Sequence, residues 1–326
     1  MKLYVYAAEP DEIPYFDAFS EKYGIEYDYT EEYPSPENLS WCKGYDAISI
    51  ITNPMGKDEL DRLNSYGIKY LITRSIGYEH INVRYAHQLG MRTAHVTYSP
   101  NAVANYTIMM MLIACRKLPF IMKKNARQDF SLPGNLGKEL SLSTVGVIGT
   151  GNIGSAVVRH LSGFGCKILM SDPYPKEELK QYGEYTDIET LYQNADIITM
   201  HVPASADTHH MISDTELAKM KAGVILVNAA RGSLIDTEAM IRGLENGKIG
   251  FAALDTIENE EGLYYLDHSG NILKNHDRSI LMAFPNVFLS PHMAYYTEEA
   301  VSDRVYHVFQ LLKDFAEGNE NPLEVK

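Results

Sequence analysis

The sequence predicts an α/β chain of two doubly wound parallel-sheet domains, and three observations carry that prediction. Short apolar runs alternate with amphipathic segments along the length. A glycine-rich turn joins an apolar run to a helical pattern near the middle. The 326 residues are about twice the length of an ordinary domain.

In order, Leu3 to Ala8, Ala47 to Thr52 and Tyr70 to Ser75 read as strands, with a helix from Asp58 closed by Gly67 between the last two. A strongly apolar helix is expected from Asn101 to Lys117, with Met109 to Met111 as core filler and the whole helix buried between domains or subunits. A second strand–helix series then begins. Val145 to Ile148 is a strand, Ser155 to Gly163 a helix, and Lys167 to Asp172 and Ala195 to Pro203 are further strands. Gly223 to Ala230, Gly250 to Asp255 and Val287 to His292 are short apolar runs that end in polar residues. Polar carboxyl ends of parallel strands are where open α/β sheets bind ligands. The segment after Thr297 reads as an amphipathic helix returning to the first domain. The predicted division is therefore 1–98 with 298–326, and 99–297 inserted between them.

Composition narrows the class. With 45% hydrophobic and 22% charged residues the chain is of globular type. A net charge of −14 repels phosphate backbones, so no nucleic-acid partner is expected. No apolar window approaches the roughly 18 residues of a membrane span, and the first residues lack a basic, apolar leader pattern. Cys42, Cys115 and Cys166 are scattered and form no CxxC, which argues against a disulfide frame or zinc site and for a reducing, cytoplasmic setting. His209 and His210 are adjacent, should point differently, and are not expected to hold a metal.

Gly149, Gly151 and Gly154 form a GxGxxG motif with Asn152 and Ile153 inside it. A strand runs into it, a helix leaves it at the last glycine, and Asp172 ends the next strand 18 residues after Gly154. Each part has a task in dinucleotide binding. The glycines allow a tight turn and close approach to a pyrophosphate, the helix N-terminus offers unpaired N–H groups, and Asp172 can accept from ribose hydroxyls. Its charge disfavours a 2′-phosphate, so NAD is the expected cofactor. The fold is thus expected to be a Rossmann NAD domain inserted into a flavodoxin-like substrate domain.

Arg231, the acidic run Glu258, Glu260 and Glu261, and His292 follow later strands. A lone His or Arg after a strand is more often structural, and Glu258, Glu260 and Glu261 can be a solvated acidic loop. Together in a nucleotide fold they suit hydride transfer to a 2-keto acid. A guanidinium can hold a carboxylate and polarise a carbonyl. An imidazole can protonate the keto oxygen, and a carboxylate beside it keeps it charged and oriented.

With these pieces in place the chain resembles the D-isomer-specific 2-hydroxyacid dehydrogenase family. Within it, the chain is similar to the D-lactate dehydrogenase group, including the vancomycin-resistance branch. The matching segments are Arg74 to Tyr78, Tyr98 to Ala104, the glycine motif, His201 to Pro203, Asn228 to Gly232, Gly250 to Glu260 and Ser290 to Thr297. The resemblance implies Arg231, Glu260 and His292 as catalytic residues. It implies Ile76, Gly77, Tyr98, Arg231 and Tyr295 at the substrate. It implies Gly149, Gly151, Asn152, Ile153, Gly154, Asp172, Val202, Pro203, Thr208, Ala229, Ala230, Arg231 and Asp255 at the cofactor. Glu79, His80 and Met293 depart from the usual family residues. The segment from Gly262 to Arg278 resembles the longer loop of lactate-type members.

The expected substrate is a small 2-keto acid, pyruvate before larger branched or aromatic ones, because Tyr295 and Met293 are bulky; Leu263 and Tyr264 are placed at the rim. A non-catalytic NAD-sensing protein is the remote alternative. The apolar helix after Pro100 is the expected homodimer element, and the domains are expected to close on ligand about hinges near Ser99 and Thr297.

Overall fold

The computed structural model describes residues 1–260 and 262–325, so Glu261 of the expected acidic run lies outside the described residues. The chain divides into two compact units, Met1–Ser99 with Tyr296–Lys326, and Pro100–Tyr295.

The first unit begins with β1 (Lys2–Val5), α1 (Ile13–Tyr23), β2 (Glu26–Tyr29), β3 (Ala47–Ile50), α2 (Lys57–Ser65), β4 (Tyr70–Thr73), α3 (Val83–Gln88) and β5 (Arg92–His95). Two of these strands, β2 (EYDY) and β5 (RTAH), escape a reading based on apolar runs because they are short and half polar.

The second unit holds α4 (Asn101–Cys115), α5 (Leu118–Asn125), β6 (Thr144–Ile148), α6 (Asn152–Ser162), β7 (Lys167–Ser171), β8 (Glu184–Tyr185), α7 (Ile188–Asn194) and β9 (Ile197–Met200). It continues through α8 (Asp214–Lys219), β10 (Val224–Asn228), α9 (Thr237–Glu245), β11 (Ile249–Leu254), α10 (His276–Ala283) and β12 (Val287–Leu289). The chain then returns to the first unit as α11 (Glu298–Ala316), whose Thr297 cap accepts from the Ala300 N–H, and β13 (Glu324–Val325).

The sheet of the first unit runs β13-β5-β4-β3-β1-β2. Without β13 this is the 2-1-3-4-5 order of flavodoxin-like folds. The departure from an all-parallel sheet is β13, which pairs antiparallel to β5, Glu324 opposite Ala94. Arg92 secures it with a 2.7 Å ion pair to Glu324. Leu3, Ile72, Phe309 and Leu312 lie on one face of the sheet, in the cluster built against α1 and α11. Ile48, Leu60, Leu63 and Leu71 belong to the cluster on the other. Burial of each such side chain contributes about 1.5–3 kcal/mol.

The second unit's sheet runs β12-β11-β10-β9-β6-β7-β8, with every pairing parallel. Its order reverses beside β6, which places the switch point at the glycine turn. Two boundaries differ from expectation. The helix after Pro100 stops at Cys115, because Lys117 takes a left-handed φ of 52° and α5 restarts with a proline in its first turn. Met110 and Met111 are fully buried, but Met109 is 38% exposed, so the Met run is only partly core. Helix α6 starts at Asn152, so Gly154 lies inside its first turn rather than at its start. No helix of the described residues is long and apolar enough to cross a membrane.

Candidate active site

The three glycines of the turn do different work. Gly149 has φ +86°, and a Cβ there would meet the His201 carbonyl at 2.6 Å. Only glycine takes this conformation so close to the end of β9 without strain. A Cβ at Gly154 would lie 1.9 Å from the Gly149 carbonyl, so the helix can close on the turn only without a side chain. At Gly151, by contrast, a Cβ would meet nothing within 4 Å. That open face, at the N-cap of the eleven-residue α6, is room beside unpaired N–H groups. The residues present therefore fit a dinucleotide pyrophosphate.

Asp172 directly follows β7 and accepts from the Thr150 N–H (2.5 Å) and hydroxyl (3.1 Å) and from the Tyr174 N–H (2.8 Å). It thus ties the glycine turn to the next strand. Beyond β9, Thr208 donates to the Pro203 carbonyl (2.7 Å) and closes the turn that carries Val202 and Pro203. His201 is half-buried, and desolvation of its ring pushes its imidazole down to about 4.

After β10, buried Asn228 shapes the turn Ala229–Gly232. Its carbonyl oxygen accepts from the Ala230 N–H (3.0 Å), and its amide donates to the Arg231 carbonyl (2.8 Å). A Cβ at Gly232 would lie 2.0 Å from the Ile257 carbonyl carbon. The Arg231 turn and the Glu258 segment therefore touch backbone to backbone.

Glu258 and Glu260 then part company. Glu258 bonds His210 Nε2 (2.6 Å) and accepts from the Thr237 N–H (3.1 Å) and hydroxyl (2.7 Å). Burial pushes its carboxyl up, but these donors hold it below the usual carboxylate range. Glu260 instead meets His292, Oε1 to Nδ1 at 2.7 Å, while its Oε2 accepts from the Ile257 N–H (3.1 Å). Among the described residues this leaves Nε2 of His292 as the ring atom without a hydrogen bond.

His292 itself has a left-handed φ of 56°. Such a backbone costs on the order of 1–3 kcal/mol and persists only where its surroundings fix it. Here the His292 N–H donates to the Asp255 carbonyl (2.9 Å). The Asp255 carboxylate accepts from the Ser290 hydroxyl (2.6 Å) and the Met293 and Ala294 N–H groups (2.9 and 2.8 Å). Asp255 is fully buried, and that burial raises its carboxyl despite the donors. Its position thus organises the 290–294 turn, a duty the sequence did not disclose.

Two rings flank the imidazole. Tyr265 lies 6.2 Å and Tyr295 6.3 Å from it, and the two tyrosines meet edge to face. Tyr265, not Tyr264, is the loop residue beside the site. Tyr264 is only 8% exposed and packs into the core with Leu281, and Leu263 packs against the same cluster. Adjacent aromatics in an irregular loop have no periodicity to phase them, so sequence could not choose between them.

His209 and His210 also differ from expectation. Their rings stack at 3.9 Å, His210 has φ 49°, and with Glu258 they bring ligand atoms within 4.8 Å. The donors from His210 and Thr237 already satisfy that carboxylate without an ion.

In the first unit, Ile76 and Gly77 follow β4. Arg74 just before them is fully buried and donates to Glu12 (2.8 Å), Ser49 (3.0 Å) and the carbonyls of Tyr6 and Ala7 (3.0 and 2.7 Å). Ser75 donates to the Gly77 carbonyl (2.7 Å). Among the described residues no acceptor takes the N–H of Ile76 or Gly77, so both can receive an anion. His80 bonds Thr73 at 3.0 Å, which gives that family departure a structural duty. Tyr98 is half-buried in the same unit.

Comparisons with known proteins show the family of the chain. The family model "D-isomer specific 2-hydroxyacid dehydrogenase, NAD binding domain" matches residues 108–294. The chain belongs to this family. It is 43% identical to an aromatic 2-oxoacid reductase of Clostridium sporogenes, over 97% of this chain and 96% of that one. It is 39% identical to a D-specific alpha-keto acid dehydrogenase of Enterococcus faecium, over 97% and 98%. The crystal structure of a D-lactate dehydrogenase from Treponema pallidum superposes with a TM-score of 0.91, at 32% identity and 100% coverage of both chains. As a family member the protein is an NAD-dependent oxidoreductase of 2-hydroxy acids.

Proposed function

We propose that the protein reduces 2-keto acids with apolar side chains to the D-2-hydroxy acids, and that aromatic keto acids are its preferred substrates. The observation that carries this reading is the His292–Glu260 pair at 2.7 Å with tyrosine rings on two sides. NADH supplies the hydride when bound. His292 Nε2 protonates the keto oxygen as the hydride arrives, and Glu260 holds the imidazole by Nδ1 and balances its charge. Arg231 binds the substrate carboxylate and polarises the keto group, and Ile76 and Gly77 are further proposed substrate residues. Tyr98 covers the substrate.

The sequence favoured pyruvate from the bulk of Met293 and Tyr295. Two findings move the preference to aromatic acids. The Clostridium relative, at 43% identity, is an aromatic 2-oxoacid reductase. Tyr265 adds a second ring beside His292. Edge-to-face contact with a substrate ring is worth about 0.5–1.5 kcal/mol beyond the area it buries. Pyruvate is the second reading, supported by the Treponema D-lactate dehydrogenase. Measured with NADH at one pH, kcat/KM for phenylpyruvate should exceed that for pyruvate about tenfold, the scale of one or two apolar groups in a pocket. A tenfold preference for pyruvate would restore the lactate reading.

Asp172 is proposed to select NAD through the adenosine ribose hydroxyls, with Val202, Pro203, Thr208, Ala229, Ala230 and Asp255 as the other cofactor neighbours. Asp172→Ala should raise the NADPH-to-NADH ratio of kcat/KM by about tenfold, one charge repulsion's worth. A wild-type preference for NADPH would contradict the assignment.

A homodimer is proposed through α4. Met109 and Leu112, with Leu118 and Phe164, are exposed around an apolar groove of about 630 Å³. A surface of this kind suits a second copy. Sedimentation at micromolar concentration should give a dimer; a monomer would exclude it. The cytoplasm is the proposed location.

A further inference from the structure

The Glu260 loop grips His292 twice. Glu260 takes Nδ1 of the ring, and five residues on the Tyr265 hydroxyl donates to the main-chain carbonyl of the same histidine at 2.8 Å. We propose that Tyr265 is a positioning residue for His292, holding the left-handed backbone that aims Nε2 at the keto oxygen. The inference rests on the reading of His292 as the general acid and names a residue that reading does not require.

The anchoring has the right logic. The His292 N–H is held by the Asp255 carbonyl, and the next two N–H groups by the Asp255 carboxylate. At the other end of the residue, the His292 carbonyl accepts from the Tyr265 hydroxyl. With both ends of the residue fixed, the φ of 56° cannot relax towards the ordinary region. The loop is itself shaped to deliver both groups. Asn259, Gly262 and Tyr265 all have positive φ, and the Leu263 N–H donates to the Glu260 carbonyl at 3.0 Å. Asn275 donates to the Asn259 carbonyl at 2.9 Å and ties down the loop's start. The Tyr265 phenol is pushed well above its usual range, by burial first and then by Tyr295 and Glu260. The ring also meets Tyr295 edge to face, so the same residue sets one wall beside the imidazole.

Two functions then separate by substitution. Tyr265→Phe keeps the ring and removes the donor. Tyr265→Ala removes both. The experiment measures kcat and KM for phenylpyruvate and pyruvate, the NADH Kd and the Tm, for both variants and for His292→Gln. Tyr265→Phe should lower kcat for both substrates about three- to tenfold, the value of one hydrogen bond. Its KM, NADH Kd and Tm should stay near wild type. Tyr265→Ala should lose the same factor in kcat and, in addition, lose preference for phenylpyruvate. A Tyr265→Phe enzyme with wild-type kcat, while His292→Gln is inactive, would overturn the proposal and leave the His292 reading intact. A drop confined to Tm would also overturn it, as a merely structural role. Near-wild-type turnover of His292→Gln would instead overturn the reading on which it rests.

Discussion

His292→Gln should lower turnover by about 10²-fold or more with NADH affinity nearly unchanged, the usual scale for a lost acid–base group. The geometry explains why binding should survive. His292 sits beyond β12, held by Glu260 on its ring and Asp255 on its backbone, whereas the glycine turn and Asp172 lie at the ends of β6 and β7. Gln fits the volume and can still donate to Glu260, so the 290–294 turn, anchored through Asp255, should hold its shape. What it cannot do is deliver a proton to the keto oxygen. Stopped-flow NADH titration and steady-state turnover at neutral pH check the two halves. Turnover within a few fold of wild type would remove His292 from the acid role. Glu260→Gln should fall between the two enzymes, because the ring keeps a neighbour but loses the charge that balances it.

Arg231→Lys is expected to lose about 10²-fold in kcat/KM, with KM raised and kcat lowered together. The positive charge is kept, but the planar fork that meets a carboxylate and a carbonyl at once is gone. The position is rigid for backbone reasons. Asn228 holds the Arg231 carbonyl at 2.8 Å, and Gly232 lets the turn press against Ile257. A lysine ammonium from the same Cα cannot shift its backbone to compensate. A variant with unchanged KM and kcat would show that another group receives the carboxylate. Gly232→Ala should be damaged too, through steric clash with the Ile257 peptide, and its Tm should fall as well. Arg231→Lys should leave the Tm alone.

Much of this was legible in the residues, for physical reasons. The apolar strands of the second unit are buried on both faces, so they stand out as continuous runs, and their polar ends mark the ligand side. The GxGxxG turn and Asp172 signal themselves because backbone approach and ribose recognition demand those residue types. The register of Glu260 came from family resemblance; spacing alone could not separate it from Glu258, and only the three-dimensional pairing with His210 and Thr237 explains where Glu258 goes. Buried polar residues that shape turns, such as Asn228, Ser290 and Asp255, carry no periodic signal. Neither does a loop built on positive φ at non-glycine residues, which is why Tyr265 and the stacked His209 and His210 emerge only from the structure. Short half-polar strands such as Glu26–Tyr29 and the antiparallel Glu324–Val325 depend on neighbours far along the chain for their pairing.

The most direct test of the account is the chirality of the product. With NADH and phenylpyruvate, chiral chromatography should find D-phenyllactate formed one for one with NADH oxidised. L-phenyllactate, a racemate, or no NADH oxidation with any 2-keto acid would contradict the assignment of His292, Arg231 and the D-specific reaction together.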